Sequence, residues 1–178
     1  GLLDVCQQLG REKFDRCIVF HSLSKRSNLP GLRSGFVAGN AQLLDFFFRY
    51  RTYHGCALSL PVQQASIAAW SDERYVQENR ELYREKFDAV GKILEGILEF
   101  NTPPAGFYLW PKTPIDDVTF ARDLYAQENL TVLPGSFISR KTEMGDPGKN
   151  RIRLALVPDL NDCIEAAERI ARFTKKLK

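Results

Sequence analysis

The chain has 178 residues, of which 44% are hydrophobic and 26% are charged, and its formal net charge is +3 at pH 7. This composition is typical of a folded globular protein and excludes a disordered or low-complexity chain. The small positive charge is mixed with acidic residues throughout, so it gives no reason to expect nucleic acid or a membrane as a partner, and no apolar stretch is long enough to span a bilayer.

The first half of the chain alternates between strand and helix patterns. In order, the patterns predict a short helix or loop at 2–9, strands at 16–22 and 35–39, and helices at 41–53, at 61–70 and from 72 onward. Asn40 and Asp72 are suitable N-cap residues for two of these helices. The last helix carries one apolar stripe at helical spacing, formed by Val76, Tyr83, Phe87, Val90, Leu94 and Ile97.

The second half continues the alternation after Pro103 and Pro104. The patterns predict an aromatic strand at 106–110, a helix at 116–129, a strand at 130–133 stopped by Pro134, a polar loop at 141–150, a strand at 151–157 and a final amphipathic helix at 158–176. Mixed strands and helices predict an α/β or α+β class. We expect two domains, residues 1–90 and 91–178.

The four cysteines, Cys6, Cys17, Cys56 and Cys163, are far apart and include no CxxC pair. This spacing predicts neither a metal site nor a disulfide framework, and it favours a reducing cytoplasm.

A lysine lies among small polar residues directly after the first predicted strand, in the segment from Ser22 to Arg33. Serine hydroxyls, backbone N–H groups and a guanidinium are the groups that hold a phosphate. Lys25 could contact that phosphate as a point charge, or act as an amine nucleophile toward a carbonyl, which is what pyridoxal phosphate requires. Spacing alone does not choose between these roles and a solvated basic loop. A nucleotide-binding P-loop is excluded, because no GxxxxGK[ST] occurs.

The segment SLSKRSNLPGLRSGFVAG closely resembles the lysine motif of fold-type I pyridoxal-phosphate aminotransferases, and its wording is most similar to bacterial N-succinyldiaminopimelate aminotransferases. The resemblance implies that Lys25 forms the Schiff base with pyridoxal 5'-phosphate. It implies that Ser22 and Arg33 bind the cofactor phosphate, with Ser24 as a weaker candidate.

The resemblance continues in the family's order through the rest of the chain, at residues 61–66, 105–110, 132–137 and 151–156. It implies that Arg153 holds the substrate α-carboxylate and that Phe107 lies near the substrate. Period-two alternation puts Arg151 and Arg153 on the same face of a strand, so the pattern by itself does not separate them.

The resemblance also implies the fold and the reaction. We expect the C-terminal part of a fold-type I enzyme, with the end of the large domain and a small α+β domain, acting as a cytoplasmic homodimer on N-succinyl-LL-2,6-diaminopimelate and 2-oxoglutarate. The family's groups that contact the pyridine ring precede the lysine by more than this chain contains, so we expect this chain alone to have little activity. The alternatives are another fold-type I enzyme, such as another aminotransferase or a carbon–sulfur lyase, and a non-catalytic anion-binding or dimerising module.

Overall fold

A computed structural model describes residues 1–177 of the chain. The fold divides into an N-terminal unit, Gly1–Asn79, and a C-terminal unit, Arg80–Lys178. The boundary falls inside a long helix, and the expected division at residue 90 lies further along the same helix. That these units correspond to the end of a large cofactor-binding domain and to a small domain stays a prediction.

The N-terminal unit contains a two-stranded sheet and the first four helices, and a fifth helix begins in it. Its elements are α1 (Leu2–Gln8), β1 (Ile18–Ser22), α2 (Leu23–Arg26), a 3₁₀ turn (Pro30–Leu32), β2 (Gly35–Gly39), α3 (Ala41–His54), α4 (Leu60–Ser71) and the start of α5 (Arg74–Leu94). The predicted cap of α3 is confirmed, because the Asn40 side chain accepts a hydrogen bond of 3.2 Å from the Leu43 amide.

Strands β1 and β2 pair antiparallel in a register that joins Ile18 to Gly39 and Ser22 to Gly35. Both glycines are required by close backbone approach. A Cβ atom on Gly35 would lie 2.3 Å from the His21 carbonyl oxygen, and one on Gly39 would lie 2.3 Å from the Cys17 carbonyl oxygen. These glycines therefore permit the tight pairing that places Ser22 beside the start of β2.

The C-terminal unit contains a three-stranded antiparallel sheet and its helices. Its elements are the remainder of α5, β3 (Tyr108–Leu109), α6 (Asp117–Glu128), β4 (Leu133–Pro134), a 3₁₀ turn (Gly135–Phe137), β5 (Ile152–Ala155) and α7 (Leu160–Lys176). The strand order is β3-β5-β4, so the arginine-bearing strand is central. The mixed α/β class expected from the sequence is confirmed.

One apolar cluster fills the C-terminal unit. Ile152 and Leu154 of β5 point into it, and Phe120 and Phe173 meet edge to face with ring centroids 5.1 Å apart. Each of the three helices contributes to the cluster, so burial of their apolar stripes holds this unit together. Its other buried members are Phe87, Val90, Leu94, Leu98, Leu109, Leu124, Leu156, Cys163, Ala167 and Ile170.

Two strand predictions in this unit were misplaced. The strand predicted at 130–133 is observed at Leu133–Pro134, and the strand predicted at 106–110 is reduced to Tyr108–Leu109. Strand β4 lies at the edge of the sheet, where a proline costs no ladder hydrogen bond on its outer side, so Pro134 does not stop the strand.

Within residues 1–177, none of the helices combines the length and the apolar character needed to cross a membrane.

Candidate active site

The predicted cofactor residues of the N-terminal unit meet at the closed end of the β1–β2 pair. Strand β1 ends at Ser22 and β2 begins at its partner Gly35, so the connection between them carries Ser24, Lys25 and Arg33. The Leu23 amide donates a 3.1 Å hydrogen bond to the Ser34 carbonyl oxygen, which draws the start and the end of this connection together. Lys25 is exposed, and it is one residue from the partly buried Ser24.

Ser22 fixes the beginning of α2. Its Oγ accepts a 3.0 Å hydrogen bond from the Ser24 amide, as an N-cap residue does. Because the oxygen acts as the acceptor in this bond, the Ser22 hydroxyl hydrogen can still be donated to an anion. The side chain of Leu23, which follows it, is fully buried and anchors the lysine-bearing turn.

Arg33 has an unusual backbone conformation. It ends the 3₁₀ turn with φ of 51° and ψ of 33°, in the left-handed region that a non-glycine residue adopts at a cost. Its Nη1 donates a 2.9 Å hydrogen bond to the Pro30 carbonyl oxygen, while the residue remains exposed. This local hydrogen bond uses one donor of the guanidinium fork and leaves the side chain at the surface of the connection.

Arg26, next to the lysine, was not identified from the sequence. Its side chain is only 9% exposed and is paired with Glu73, and its Nη1 donates to the Ala69 carbonyl oxygen at 3.2 Å. The guanidinium also lies over the Trp70 ring, 4.8 Å from the centroid. Arg26 therefore attaches α2 to the end of α4, and the picture of a wholly solvated basic loop does not apply to it.

A second attachment to α4 is made by buried hydroxyls. Ser34 and Ser66 are 4% and 6% exposed, and their Oγ atoms are hydrogen-bonded at 2.8 Å. Hydroxyl pairs of this kind satisfy each other where water is excluded. The connection that carries Lys25 is thus held on both sides of the lysine, at Arg26 and at Ser34.

The C-terminal unit separates Arg151 from Arg153, which the sequence pattern could not do. The Arg151 guanidinium donates to the Trp110 carbonyl oxygen at 3.1 Å. The Arg153 guanidinium instead lies over the Tyr108 ring, 4.6 Å from its centroid. A guanidinium over an aromatic face keeps its in-plane N–H groups in position for a carboxylate. Arg153 also lines a largely apolar cavity of about 330 Å³.

Phe107 belongs to a group of three aromatic rings. Its centroid lies 4.3 Å from that of Tyr108 and 5.7 Å from that of Tyr83. The Phe107 ring is partly buried, so it supports Tyr108, on which Arg153 rests. A direct contact of Phe107 with substrate stays a prediction.

Asp117 is the second residue that the sequence did not reveal. It is 1% exposed, and its carboxylate accepts hydrogen bonds from the Ser136 hydroxyl at 2.6 Å, the Ser136 amide at 2.9 Å and the Asn150 amide at 3.1 Å. Burial acts to raise the pKa of Asp117, but the hydrogen bonds from Ser136 and Asn150 hold that pKa below its ordinary value. The carboxylate joins α6 to the 3₁₀ turn after β4 and to the segment that enters β5.

Among residues 1–177, no group of three or more His, Cys, Asp or Glu side chains is placed to hold a metal ion. The sequence-predicted residues form two sets. Ser22, Ser24, Lys25 and Arg33 lie together in the N-terminal unit, and Arg153 and Phe107 share Tyr108 as a neighbour in the C-terminal unit.

Comparison with known proteins places these features in context. Residues 5–170 match the profile of the family described as aminotransferase class I and II. An aminotransferase structure from Neisseria meningitidis Z2491 superimposes with a TM-score of 0.91 and 53% sequence identity, covering 97% of this chain and 44% of that chain. A probable N-succinyldiaminopimelate aminotransferase from Thermus thermophilus gives a TM-score of 0.78 at 29% identity, covering 90% of this chain and 43% of that one.

A curated LL-diaminopimelate aminotransferase from Maridesulfovibrio salexigens is 33% identical over 163 residues, which make up 89% of this chain and 40% of the relative. The chain therefore spans less than half the length of the relatives that it matches.

Proposed function

This chain belongs to the class I and II aminotransferase family, and from that premise we propose that it supplies the lysine-bearing part of a pyridoxal-phosphate-dependent aminotransferase. The observation that carries the proposal is the grouping of Ser22, Lys25 and Arg33 at one end of a tightly paired hairpin. We expect the chain by itself to have little or no activity, because it spans 40% to 44% of its relatives.

The residues at the hairpin end fit pyridoxal phosphate in their chemistry. The Ser22 hydroxyl can donate to a phosphate oxygen, and the Arg33 fork can donate to one or two more. Ser24 offers a further hydroxyl from the first turn of α2. A primary amine at Lys25 is the group that condenses with an aldehyde. The connection is anchored at Arg26 and Ser34, so these groups are held in place before a ligand arrives.

When bound, pyridoxal phosphate supplies an aldehyde for covalent attachment and an electron sink for the substrate α-carbon. The part of Lys25 is first to attach the cofactor and then, as a free amine, to move a proton from the substrate α-carbon. Ser22 and Arg33 keep the phosphate fixed, so the lysine amine meets the same atom in each turnover.

In the C-terminal unit, Arg153 binds the substrate α-carboxylate. Its position over Tyr108 orients the guanidinium plane, and a bidentate pair then fixes the direction of the carboxylate as well as its charge. Arg151 is occupied by the Trp110 carbonyl and has a structural part. Phe107 supports this arrangement through Tyr108 and closes the apolar side of the substrate site.

We assign N-succinyl-LL-2,6-diaminopimelate as the amino donor and 2-oxoglutarate as the acceptor, in a cytoplasmic homodimer. The motif wording and the name of the Thermus thermophilus relative support this donor. The name of the Maridesulfovibrio salexigens relative favours unsuccinylated LL-diaminopimelate as the alternative. Other fold-type I aminotransferases and carbon–sulfur lyases share the same lysine and phosphate residues, so the donor has to be measured.

A chimera tests the proposal. The matching 44% of the Neisseria meningitidis enzyme is replaced by this chain, and amino transfer to 2-oxoglutarate is assayed with both diaminopimelate donors. We expect turnover that is abolished by Lys25→Ala. We expect Arg153→Lys to raise KM for the amino donor by about tenfold or more, and Arg151→Lys to leave KM unchanged.

An active Lys25→Ala chimera would show that the chain is instead an anion-binding or dimerising module attached to a catalytic part. An equal effect of the two arginine substitutions on KM would contradict the assignment of Arg153 alone.

A further inference from the structure

Two thiols that are separated in the sequence meet in the N-terminal unit. The Cys6 thiol on α1 donates a hydrogen bond to the Cys17 sulfur, and the two Sγ atoms are 3.1 Å apart. Both cysteines are in the reduced state, and an approach of about 1 Å would bring the sulfurs to the length of a disulfide bond.

The backbone around both thiols is fixed. The Arg11 amide donates to the Cys6 carbonyl at 2.8 Å, and the Cys17 amide donates to the Phe14 carbonyl at 2.8 Å. The Cys17 carbonyl accepts from the Asn40 amide at 2.9 Å, which ties Cys17 to the end of β2. The two side chains therefore face each other because of the fold, and little backbone entropy remains to be lost if they join.

The two thiols differ in access. Cys6 is 2% exposed, whereas Cys17 is partly exposed. The hydrogen bond to Cys17, together with burial, raises the pKa of the Cys6 thiol, which keeps Cys6 protonated. A reagent in solution therefore meets Cys17 first, and Cys6 lies behind it as the second thiol.

We propose that Cys6 and Cys17 form a reversible disulfide site that is oxidised by a low-molecular-weight disulfide such as glutathione disulfide. The Cys17 thiolate attacks one sulfur of glutathione disulfide, forming a mixed disulfide and releasing one glutathione. The Cys6 sulfur then attacks the Cys17 sulfur, the intramolecular S–S bond forms, and the second glutathione leaves. The two protons lost by the protein thiols end on the two glutathione molecules. The protein pair is thus oxidised by two electrons and glutathione disulfide is reduced.

The other two cysteines provide internal controls. Cys56 is exposed and can be modified by the reagent, but the structure pairs it with no second thiol among residues 1–177. Cys163 is 4% exposed in the C-terminal unit, where burial raises the pKa of its thiol. We expect Cys56 to stop at a mixed disulfide and Cys163 to remain unmodified.

The bond would close the turn-rich segment that leads into β1, the strand that ends at Ser22. A covalent link between residues 6 and 17 restricts the unfolded N-terminal unit, so the oxidised form should unfold at a temperature higher by roughly 5 °C or more.

The test uses the reduced 178-residue chain in glutathione buffers of graded ratio, with acid quenching, alkylation and peptide mapping by mass spectrometry without reduction. We expect a peptide that links Cys6 to Cys17 as the main oxidised species, with dithiothreitol restoring all four thiols. Half-oxidation should occur at a ratio of [GSH]² to [GSSG] that is about tenfold or more higher in the folded chain than in concentrated urea. The comparison with urea separates the effect of the fold from the short sequence distance.

Cys6→Ser should convert the linked product into a stable mixed disulfide of glutathione on Cys17, whereas Cys56→Ser should leave the linked product unchanged. The proposal is overturned if the unaltered folded chain forms the link no more readily than in urea. It is also overturned if Cys17 stays reduced or stays joined to glutathione while Cys6 is present. The measurement on the unaltered chain requires no substitution to fold, and it does not depend on the proposed aminotransferase function.

Discussion

The two units differ in how they are stabilised. The C-terminal unit has one continuous apolar cluster to which strands and helices all contribute. In the N-terminal unit the buried hydrophobic residues are Cys6, Leu23, Ala69 and Val76, while Phe48 is 74% exposed and Tyr53 is 85% exposed. The reactive lysine thus lies on a scaffold that is held largely by polar anchors, and the carboxylate-binding arginine lies on a strand fixed by a core. Stability and chemistry should therefore respond differently to substitution in the two units.

The largest difference is expected for a pair of phenylalanines. Phe120 is fully buried against Phe173, whereas Phe46 on α3 is 58% exposed. Phe120→Ala should reduce the free energy of unfolding of the C-terminal unit by about 3–5 kcal/mol, and Phe46→Ala should change that of the N-terminal unit by less than about 0.5 kcal/mol.

The two tryptophans permit this measurement, because Trp70 lies in the N-terminal unit and Trp110 in the C-terminal unit. Trp70→Phe and Trp110→Phe backgrounds give one fluorescence reporter for each unit in urea unfolding. Equal losses for the two alanine variants would contradict the contrast between the units.

The next effect concerns the buried carboxylate. Asp117→Asn replaces an acceptor of three hydrogen bonds by an amide that brings donors of its own, so we expect a loss of about 2–3 kcal/mol in the unfolding of the C-terminal unit. Asp88→Asn, at an exposed position on α5, is the matched control and should be nearly neutral.

The pH dependence gives Asp117 a signature that a general loss of packing lacks. Its pKa is lowered in the folded state, so its contribution is complete above the unfolded pKa of about 3.9 and is lost as the pH falls through the lower folded value. The difference in stability between the unaltered chain and Asp117→Asn should therefore shrink below about pH 4. A difference that is constant from pH 7 to pH 3 would show that charge is not its cause.

The smallest effect is expected at Arg26. Lysine at this position keeps the charge but loses the planar fork that reaches Ala69 and covers Trp70. We expect Arg26→Lys to destabilise the N-terminal unit by about 1 kcal/mol, because Glu73 is largely exposed and screened by solvent. Arg74→Lys, at a side chain that is 88% exposed, serves as the control, and an equal loss in both variants would argue against the Arg26 anchor.

The sequence predicted the helices well, because their signals are local. Asn40 and Asp116 cap α3 and α6 through hydrogen bonds to residues three positions ahead, and such spacing can be read directly from the sequence. Strand β4 was displaced because its position depends on pairing with β5, and Pro134 is tolerated only because that strand forms an edge.

The unpredicted features all depend on contacts between distant parts of the chain. Asp117 reads as an ordinary first-turn acid until Asn150, far along the sequence, donates to it. Arg26 reads as a solvated charge until α4 lies beside it. Likewise, the spacing of Cys6 and Cys17 shows nothing of their contact. The resemblance to a known family located the lysine motif, but the supports around that motif required the structure.

The central claim is that the Lys25 amine attaches the cofactor, and site mapping in the chimera tests it most directly. Pyridoxal phosphate is added at less than one equivalent, the adduct is reduced with borohydride, and the labelled peptides are identified by mass spectrometry. The account predicts that most of the label lies on Lys25 and that Lys25→Arg removes it. Label distributed over exposed lysines such as Lys141 and Lys175, with Lys25 no more modified than they are, would contradict it.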